Sequence, residues 1–283
     1  MGSAARAGRD APAPGGSRPT VARTGADPSP LPAILCYHKV ERRWELGATR
    51  ISPLRFRRQV ERLARAGWRT LSLGELLACA RGEREAGARE IAITFDDGYR
   101  GLRDHAFPVL ADHGFRATCS VITDFAGRLN RWDVAYGGRR FAHLAWRDIL
   151  SWRARGVEFV SHTATHPRLT WLDDLAVARE FARSRDTLLA ALGERVPVVS
   201  YPFGAAGARE RRLAHAEGYA AGLALAGRWG GDVMAIPRLP VYAWAPPRPG
   251  IGILRHIEWA GAVGANRCAV GTTVWQTLRG GRP

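Results

Sequence analysis

The stretch IAITFDDGY, Ile91 to Tyr99, places a short apolar and β-branched run directly before two adjacent aspartates and a glycine. Such a run, bounded by turn residues, is typical of a buried strand, and Asp-Asp-Gly suits the turn that ends it. Two neighbouring carboxylates raise each other's pKa unless a cation or a proton lies beside them. The stretch therefore predicts a buried strand that ends in either a plain turn or a metal site.

Short apolar runs alternate with amphipathic segments on both sides of this stretch. The pattern predicts further strands at 33–37, 116–122, 157–161, 197–201 and near 219–225. It predicts helices at 52–67, 103–113, 145–155, 172–192 and 207–217. Strands that alternate with helices form parallel sheets, either doubly wound or closed into (β/α) barrels. We expect a single α/β domain whose site lies at the carboxyl ends of the strands.

The composition divides the chain into three parts. A chain of 283 residues with 46% hydrophobic and 24% charged residues excludes global disorder and fibrous repeats. The composition predicts a disordered arm at residues 1–30 and the folded domain at residues 31–245. Residues 246–283 form an extension whose order stays open. No apolar run is long enough for a membrane span or a signal peptide. This predicts a cytoplasmic protein, although a start further upstream would allow a location in the cell envelope.

The formal net charge of +16 comes almost wholly from arginine, since Lys39 is the only lysine. The arginines are scattered rather than clustered, so no nucleic-acid partner is expected; the oligomeric state is left open. Four cysteines lie far apart without a CxxC pair, which predicts buried, reduced thiols rather than a zinc knuckle or a disulfide framework. They are Cys36, Cys79, Cys119 and Cys268.

A second motif, SHTATHP, runs from Ser161 to Pro167, directly after a predicted strand. His162 and His166 are four residues apart, a spacing that can present two imidazoles to one ion. Pro167 disfavours the helical conformation at His166, so the pair is predicted on a turn or a helix entry. With the aspartate pair, these histidines supply a carboxylate and two imidazoles and leave coordination positions for water and substrate.

A third motif, SYPFG, covers residues 200–204 at the end of the predicted strand 197–201. By itself it suits an ordinary turn with an apolar face. Its functional interpretation is a rigid loop whose backbone N–H groups receive a developing oxyanion. Three unusual segments thus follow three strands, at the one rim where parallel α/β folds build their sites.

In this order and spacing, TFDDGY, SHTATHP and YPFG resemble the first three motifs of the polysaccharide deacetylase family (NodB type, carbohydrate esterase family 4), across residues 31–245. The resemblance implies a distorted (β/α)7 barrel that binds a divalent metal, zinc before cobalt, nickel or iron, and deacetylates an N-acetylated sugar. It implies the metal ligands Asp97, His162 and His166, with Asp96 as the general base. It also implies an oxyanion or substrate-binding turn of Tyr201, Phe203 and Gly204, with the Phe203 N–H as a donor.

Two departures from the family pattern bear on the mechanism. The C-terminal Leu-His-Asp triplet that usually supplies the acid is absent. His38, in CYHK, resembles the acid of the poly-N-acetylglucosamine deacetylase branch, and His256, in LRHI, is the alternative. The third motif usually begins with an arginine that orients the base, but this chain has Ser200 there. Arg238, in IPRL, is predicted to substitute, since a guanidinium can hold a carboxylate bidentately.

These features predict a metal-dependent deacetylase that acts on N-acetylhexosamine units in a polysaccharide, an oligosaccharide or a lipid-linked glycan. Two alternatives stay open, namely a deacetylase or amidohydrolase of a small molecule and a glycan-binding module without turnover. The candidates for stacking against a sugar are Trp132, Trp171 and Trp229. The remaining histidines of the domain are predicted on the solvated surface: His105, His113, His143 and His215.

Overall fold

The computed structural model describes Gly2 and residues 30–45, 49–135, 138–225 and 227–242. The strands in these ranges are β1 (Ala33–Tyr37), β2 (Lys39–Val40), β3 (Arg50–Ile51), β4 (Arg69–Thr70), β5 (Glu90–Phe95), β6 (Ala117–Val121), β7 (Val157–Ser161), β8 (Val198–Ser200), β9 (Ala221–Leu223) and β10 (Leu239–Pro240). The helices are α1 (Pro53–Arg65), α2 (Leu73–Ala80), α3 (Gly101–His105), α4 (Phe107–Asp112), α5 (Trp146–Arg153), α6 (Asp174–Leu192) and α7 (Ala208–Ala216).

One parallel sheet organises the domain. Its strands follow the order β10-β1-β5-β6-β7-β8-β9, and β4 pairs with the beginning of β5. The register sets Tyr37 opposite Phe95, and Val121 opposite Ser161. Because the strands are parallel and in this register, β1, β5, β6 and β7 end at the same edge of the sheet. The segments that follow them therefore share one rim.

The sheet closes on itself through the segment 236–240. Ile236 makes a parallel bridge with Leu223 of β9, and three residues later β10 pairs with β1, where Leu239 lies opposite Leu35. The same short segment thus joins the two ends of the sheet. The predicted distorted (β/α)7 barrel is confirmed.

Local capping signals set the bounds of the predicted helices. Ser52 accepts a hydrogen bond from the Arg55 N–H before α1, and Pro53 occupies its first turn. Asp173 caps α6, which ends at Gly193 in the left-handed conformation. The two-residue strands β2, β3, β4 and β10 and the helix α2 are additional to the predicted elements.

The single helix predicted near 103–113 is wrong, because the structure has α3 and α4 with a break at Ala106. Pro108 explains the break. A proline lacks the N–H that a continuous helix needs, and its ring clashes with the carbonyl four residues earlier, here that of Asp104. It is tolerated in the first turn of α4, where that N–H has no helical partner.

Parts of the predicted organisation lie outside the described residues. The arm 1–30 does so except for Gly2 and Pro30, and the extension 246–283, with Cys268, does so entirely. The three described cysteines are free and buried. Within the described ranges, no helix combines the length and the apolar character that crossing a membrane requires.

Gly222 tests the closure of the barrel. A Cβ atom at this position of β9 would lie 2.4 Å from the Met234 carbonyl oxygen and 2.4 Å from the Tyr201 hydroxyl. We expect Gly222→Ala to lower the Tm, because overpacking of this kind costs about 1–3 kcal/mol. Thermal unfolding followed by circular dichroism measures the change. Gly230→Ala is the control, since no atom lies within 4 Å of its added Cβ; equal Tm values for the two variants would contradict the tight closure.

Candidate active site

The two aspartates after β5 face different partners. Asp96 is buried, and both of its carboxylate oxygens accept hydrogen bonds from Arg238, at 2.8 Å from Nη1 to Oδ1 and 2.7 Å from Nη2 to Oδ2. Arg238 lies in the closing segment 236–240 and is 1% exposed. The structure therefore brings together the predicted base and the arginine predicted to orient it, in bidentate geometry.

All five N–H donors of Arg238 have acceptors. Besides Asp96, they reach the Ser200 hydroxyl at 2.9 Å, the Thr94 hydroxyl at 3.3 Å and, from Nε, the Ala224 carbonyl at 3.0 Å. Ser200 in turn donates its hydroxyl hydrogen to Asp96 at 3.1 Å. Burial favours a neutral Asp96, but the attraction of Arg238 outweighs it and holds the pKa of this carboxyl well below its usual value. Asp96 is thus a carboxylate at neutral pH.

The second aspartate, Asp97, lies between the two histidines of the second motif. Its Oδ1 is 3.4 Å from His162 Nε2 and 3.5 Å from His166 Nε2, and all three side chains are buried. Two ligands of a tetrahedral zinc ion with bonds of about 2.0–2.1 Å are about 3.3–3.4 Å apart. The donor atoms are therefore spaced for one small cation, and the chemistry of the set, one carboxylate and two imidazoles, suits such an ion.

The hydrogen bond of His162 supports this assignment. Its Nδ1 lies 2.8 Å from the Ser200 carbonyl oxygen, to which only a protonated ring nitrogen can donate. The proton is thus fixed on Nδ1, and the Nε2 lone pair of the neutral ring faces Asp97. Burial lowers the pKa of His162, but the carboxylates of Asp96 and Asp97 outweigh this effect and raise it. Burial and the neighbouring His162 lower the pKa of His166 to about 3, which keeps this imidazole neutral.

His38 follows β1 on the same rim, beside the base. A ring nitrogen of His38, the Cys36 thiol and an Asp96 oxygen all lie within 4.8 Å of one another. The side chain is partly exposed, but its Nδ1 is buried and makes no hydrogen bond within the described part of the chain. Burial lowers the pKa of His38, while Asp97 and Asp96 partly oppose this effect. The alternative acid, His256, lies outside the described residues.

The third motif forms a tight 3₁₀ turn, Pro202–Gly204, after β8. Phe203 takes a left-handed conformation at φ 59°, and its ring packs edge to face on the His166 ring with centroids 4.7 Å apart. The N–H groups of Gly204 and Ala205 close the turn by donating to the carbonyl oxygens of Tyr201 and Pro202, respectively. The Phe203 N–H takes no part in these two bonds, which agrees with its assignment as a donor.

Two other residues assigned to this turn are not brought to the site as donors. The Tyr201 side chain is fully buried in the core beside Phe181, and its N–H donates to the Leu223 carbonyl. The Gly204 N–H is used within the turn. Glycine is needed at this position because its φ is 65° and because an added Cβ would clash with Leu225. In this structure the Tyr201 side chain and the N–H groups of Tyr201 and Gly204 serve the fold, and a role of either residue in binding substrate stays a prediction.

His143 was predicted on the surface, and this prediction is wrong. It is 2% exposed, its Nδ1 donates to the Asp97 carbonyl oxygen at 2.7 Å, and its Nε2 accepts from Trp132 Nε1 at 3.1 Å. The Trp132 ring also packs on the His166 ring, with centroids 4.0 Å apart. His143 therefore supports the backbone of one candidate ligand, and Trp132 contacts another. No local sequence signal marks His143, because its partners are 46 and 11 residues away.

The other two tryptophans proposed for sugar stacking differ in environment. Trp171 lies in a turn after the second motif and is 60% exposed, with the Arg168 guanidinium 5.7 Å from its ring. Trp229 is partly buried against the main core. Trp171 is thus the one of the three whose ring is largely exposed. Trp132, in contrast, donates to His143 and packs on the His166 ring.

The chain matches known proteins over this region. A family model described as polysaccharide deacetylase matches residues 83–222. The protein YxkH of Bacillus subtilis (strain 168), which carries the name of a polysaccharide deacetylase, is 26% identical over 196 residues, or 69% of this chain. The chain spans 64% of the length of that relative.

Two solved structures share the fold. IcaB from Ammonifex degensii superposes with a TM-score of 0.67 at 22% identity, covering 82% of this chain and 98% of that one. The Streptococcus pyogenes deacetylase PplD, solved in complex with acetate, gives 0.65 at 20% identity, covering 76% and 94%.

Fold and site together define a (β/α)-barrel protein with carboxylate and imidazole groups converging at the carboxyl ends of its strands, where such barrels carry their active sites. The three strand-end motifs and the family match agree on what kind of barrel this is. The domain matched by the family model, residues 83–222, is a polysaccharide deacetylase domain.

The Asp96 and Arg238 pair can be tested through stability alone. Arg238→Met leaves a buried carboxylate without its partner, which costs about 3–5 kcal/mol. We expect the double variant Asp96→Asn with Arg238→Met to recover part of this loss, because neither charge is then left alone. Urea unfolding of the wild type, Asp96→Asn, Arg238→Met and the double variant measures the coupling free energy between the two side chains. Strictly additive losses would show that the two side chains do not interact.

Proposed function

We propose that the protein is a metal-dependent deacetylase that removes the N-acetyl group from hexosamine units of a glycan. The observation that carries the proposal is that the two adjacent aspartates have different partners. Asp97 shares a cation-sized space with His162 and His166, while Asp96 is held beside it by Arg238. Hydrolysis of an acetamide requires a nucleophilic water, stabilisation of the charge on the carbonyl oxygen, and a proton for the leaving amine.

Asp97, His162 and His166 would hold the cation, with zinc as the first candidate for two imidazoles and one carboxylate. A divalent cation bound there supplies acidification of water and polarisation of the acetyl carbonyl. His162 is suited to this role because its donation to the Ser200 carbonyl places the proton of the neutral ring on Nδ1, which makes Nε2 the ligating nitrogen. His166 is suited because its low pKa keeps the ring neutral.

Asp96 takes the proton from the attacking water. Its low pKa means that it is ionised, and Arg238 fixes the direction of both oxygens. The Phe203 N–H, in the turn beside His166, donates to the carbonyl oxygen as negative charge develops on it. Each group acts at a different atom of the amide, which is the arrangement that acyl hydrolysis needs.

His38 delivers the proton to the leaving amine. It lies beside Asp96 on the rim, and its partial exposure leaves a path to substrate. Burial lowers its pKa, so the ring is neutral before turnover. The proton that Asp96 takes from the water passes to His38, whose ring nitrogen lies within 4.8 Å of an Asp96 oxygen, and from His38 to the amine, a much stronger base. The exposed ring of Trp171, on the loop that follows the metal motif, offers a stacking surface for a sugar.

Acetate release from N-acetylglucosamine oligomers tests the proposed activity. We expect the zinc-loaded protein to release acetate, the metal-stripped protein to lose this activity, and zinc to restore it. Asp96→Asn should reduce kcat by about 100-fold or more with unchanged zinc content, because it removes the base but no proposed ligand.

The substrate panel also separates the alternatives. Turnover of small N-acetylated amides without turnover of any oligomer would favour a small-molecule amidohydrolase. Zinc-loaded protein that binds the oligomers tightly, with equal affinity in Asp96→Asn, and yields no acetate would identify a binding module. Either result would refute glycan deacetylation.

The role of His38 is tested by His38→Gln. We expect kcat to fall by about 100- to 10,000-fold, as for loss of a general acid, while zinc affinity stays at the wild-type value because His38 is not a proposed ligand. His215→Gln is the matched control, since His215 is exposed on α7. A kcat for His38→Gln equal to that of the control would transfer the role to another group, such as His256.

A further inference from the structure

The loop that carries both candidate histidine ligands has an unusual backbone. It follows β7, and two of its non-glycine residues, Thr163 and His166, take left-handed conformations at φ 63°. Such conformations cost free energy and persist only where the surroundings hold them. The position of the His166 ring therefore depends on contacts that fix the loop 163–166 from outside.

The loop is fixed on one side by the segment after β6. The Thr123 N–H donates to the Thr163 carbonyl at 3.2 Å, and the Asp124 N–H donates to the Ala164 carbonyl at 3.0 Å. These bonds use the carbonyl groups of the loop. They leave its N–H groups to be satisfied by something else.

Glu180, on α6, satisfies two of them. Its Oε2 accepts from the Ala164 N–H at 3.0 Å and from the Thr165 N–H at 2.8 Å, and its Oε1 accepts from the Thr165 hydroxyl at 2.7 Å. Glu180 is 5% exposed, and no arginine, lysine or histidine of the described ranges forms an ion pair with it. A single buried carboxylate thus gathers three donors from two consecutive loop residues.

The stability of the fold does not explain why a carboxylate is buried at this position. Burying a charge without a cationic partner is costly, and its hydrogen bonds only partly offset the cost. Burial raises the pKa of Glu180, and nearby Asp124 adds to the shift, so its surroundings do not favour the charge. The three donors all belong to the loop between His162 and His166, and the benefit of the arrangement therefore lies there.

We propose that Glu180 is a positioning residue for the metal centre, which holds the loop 163–166 so that the two histidines share one cation with Asp97. This inference rests on the proposed metal site and concerns a residue that touches neither the metal nor the substrate. Residues that orient metal ligands from outside typically change the affinity by 10- to 100-fold when they are removed.

The test compares the zinc affinity of full-length variants by competition with a chromophoric chelator. Glu180→Gln can keep all three contacts, since its amide oxygen accepts from both backbone N–H groups and its amide nitrogen can donate to the Thr165 hydroxyl. We expect its Kd for zinc to stay within about threefold of the wild type, whereas Glu180→Leu weakens zinc binding by about 10- to 100-fold.

Glu158→Leu is the matched control. Glu158 is a partly buried carboxylate at the other end of β7 that also accepts a backbone N–H, from Leu73 at 2.6 Å, and its pKa is also raised by burial. A general loss of stability affects this variant and Glu180→Leu alike. A loss of zinc affinity is expected only in Glu180→Leu. If Glu180→Leu does not fold, Glu180→Asp gives the same comparison, because it keeps the charge but withdraws it from the loop.

The possible results separate this inference from the proposed function. Wild-type protein that binds zinc, with equal affinity in folded Glu180→Leu, overturns the positioning role and leaves the proposed metal centre standing. Equal losses of zinc affinity in Glu158→Leu and Glu180→Leu show a general structural effect and also overturn it. Wild-type protein that binds no zinc overturns both.

Discussion

Two adjacent carboxylates at the end of one strand are the constraint on which the rest of the site depends. Asp96 and Asp97 cannot both be buried as anions without separate positive or donating partners, because each raises the pKa of the other. The barrel supplies these partners from opposite directions. Arg238 reaches Asp96 from the closing segment, while His162 and His166 reach Asp97 from the loop after β7. The partners come from segments distant in sequence, so the site exists only when the barrel has closed.

Several residues at this rim take backbone conformations that are unfavourable for their residue type. The described non-glycine residues with positive φ all belong to the three strand-end motifs, namely Asp97, Thr163, His166 and Phe203. Strain of this kind concentrates at functional sites and is offset by surrounding contacts. Here the contacts are specific: His143 donates to the Asp97 carbonyl, and Glu180 accepts from the loop that contains Thr163. Buried polar groups that serve no catalytic step can thus be understood as supports for this backbone.

Much of the fold and the core of the site could be predicted from sequence, because both depend on local patterns. Apolar runs gave the long strands, capping residues gave α1 and α6, and the strand-end motifs gave the cluster around Asp97. Two-residue strands such as β4 and β10 have too few residues to show a period, and they form only through pairing with distant strands. The burial of His143 cannot be predicted for the same reason, since it is set by Trp132 and by the Asp97 backbone rather than by its sequence neighbours. Tyr201 was assigned to the site by its motif, whereas strand alternation turns its side chain into the core.

The position of the guanidinium shows how a changed motif can keep its geometry. Ser200 stands where the family usually has an arginine, and its small side chain leaves room beside Asp96 that Arg238 fills from the closing segment. Ser200 still contributes, since its hydroxyl donates to Asp96 and its carbonyl accepts from His162. One residue therefore contacts both the proposed base and a proposed metal ligand. The arginine is tied through the Ala224 carbonyl to the end of β9 and through the Thr94 hydroxyl to β5, the neighbour of β1. In this chain the orientation of the base is a property of barrel closure rather than of the local turn, so any change that loosens the segment 236–240 must disturb Asp96 even when the three motifs are intact.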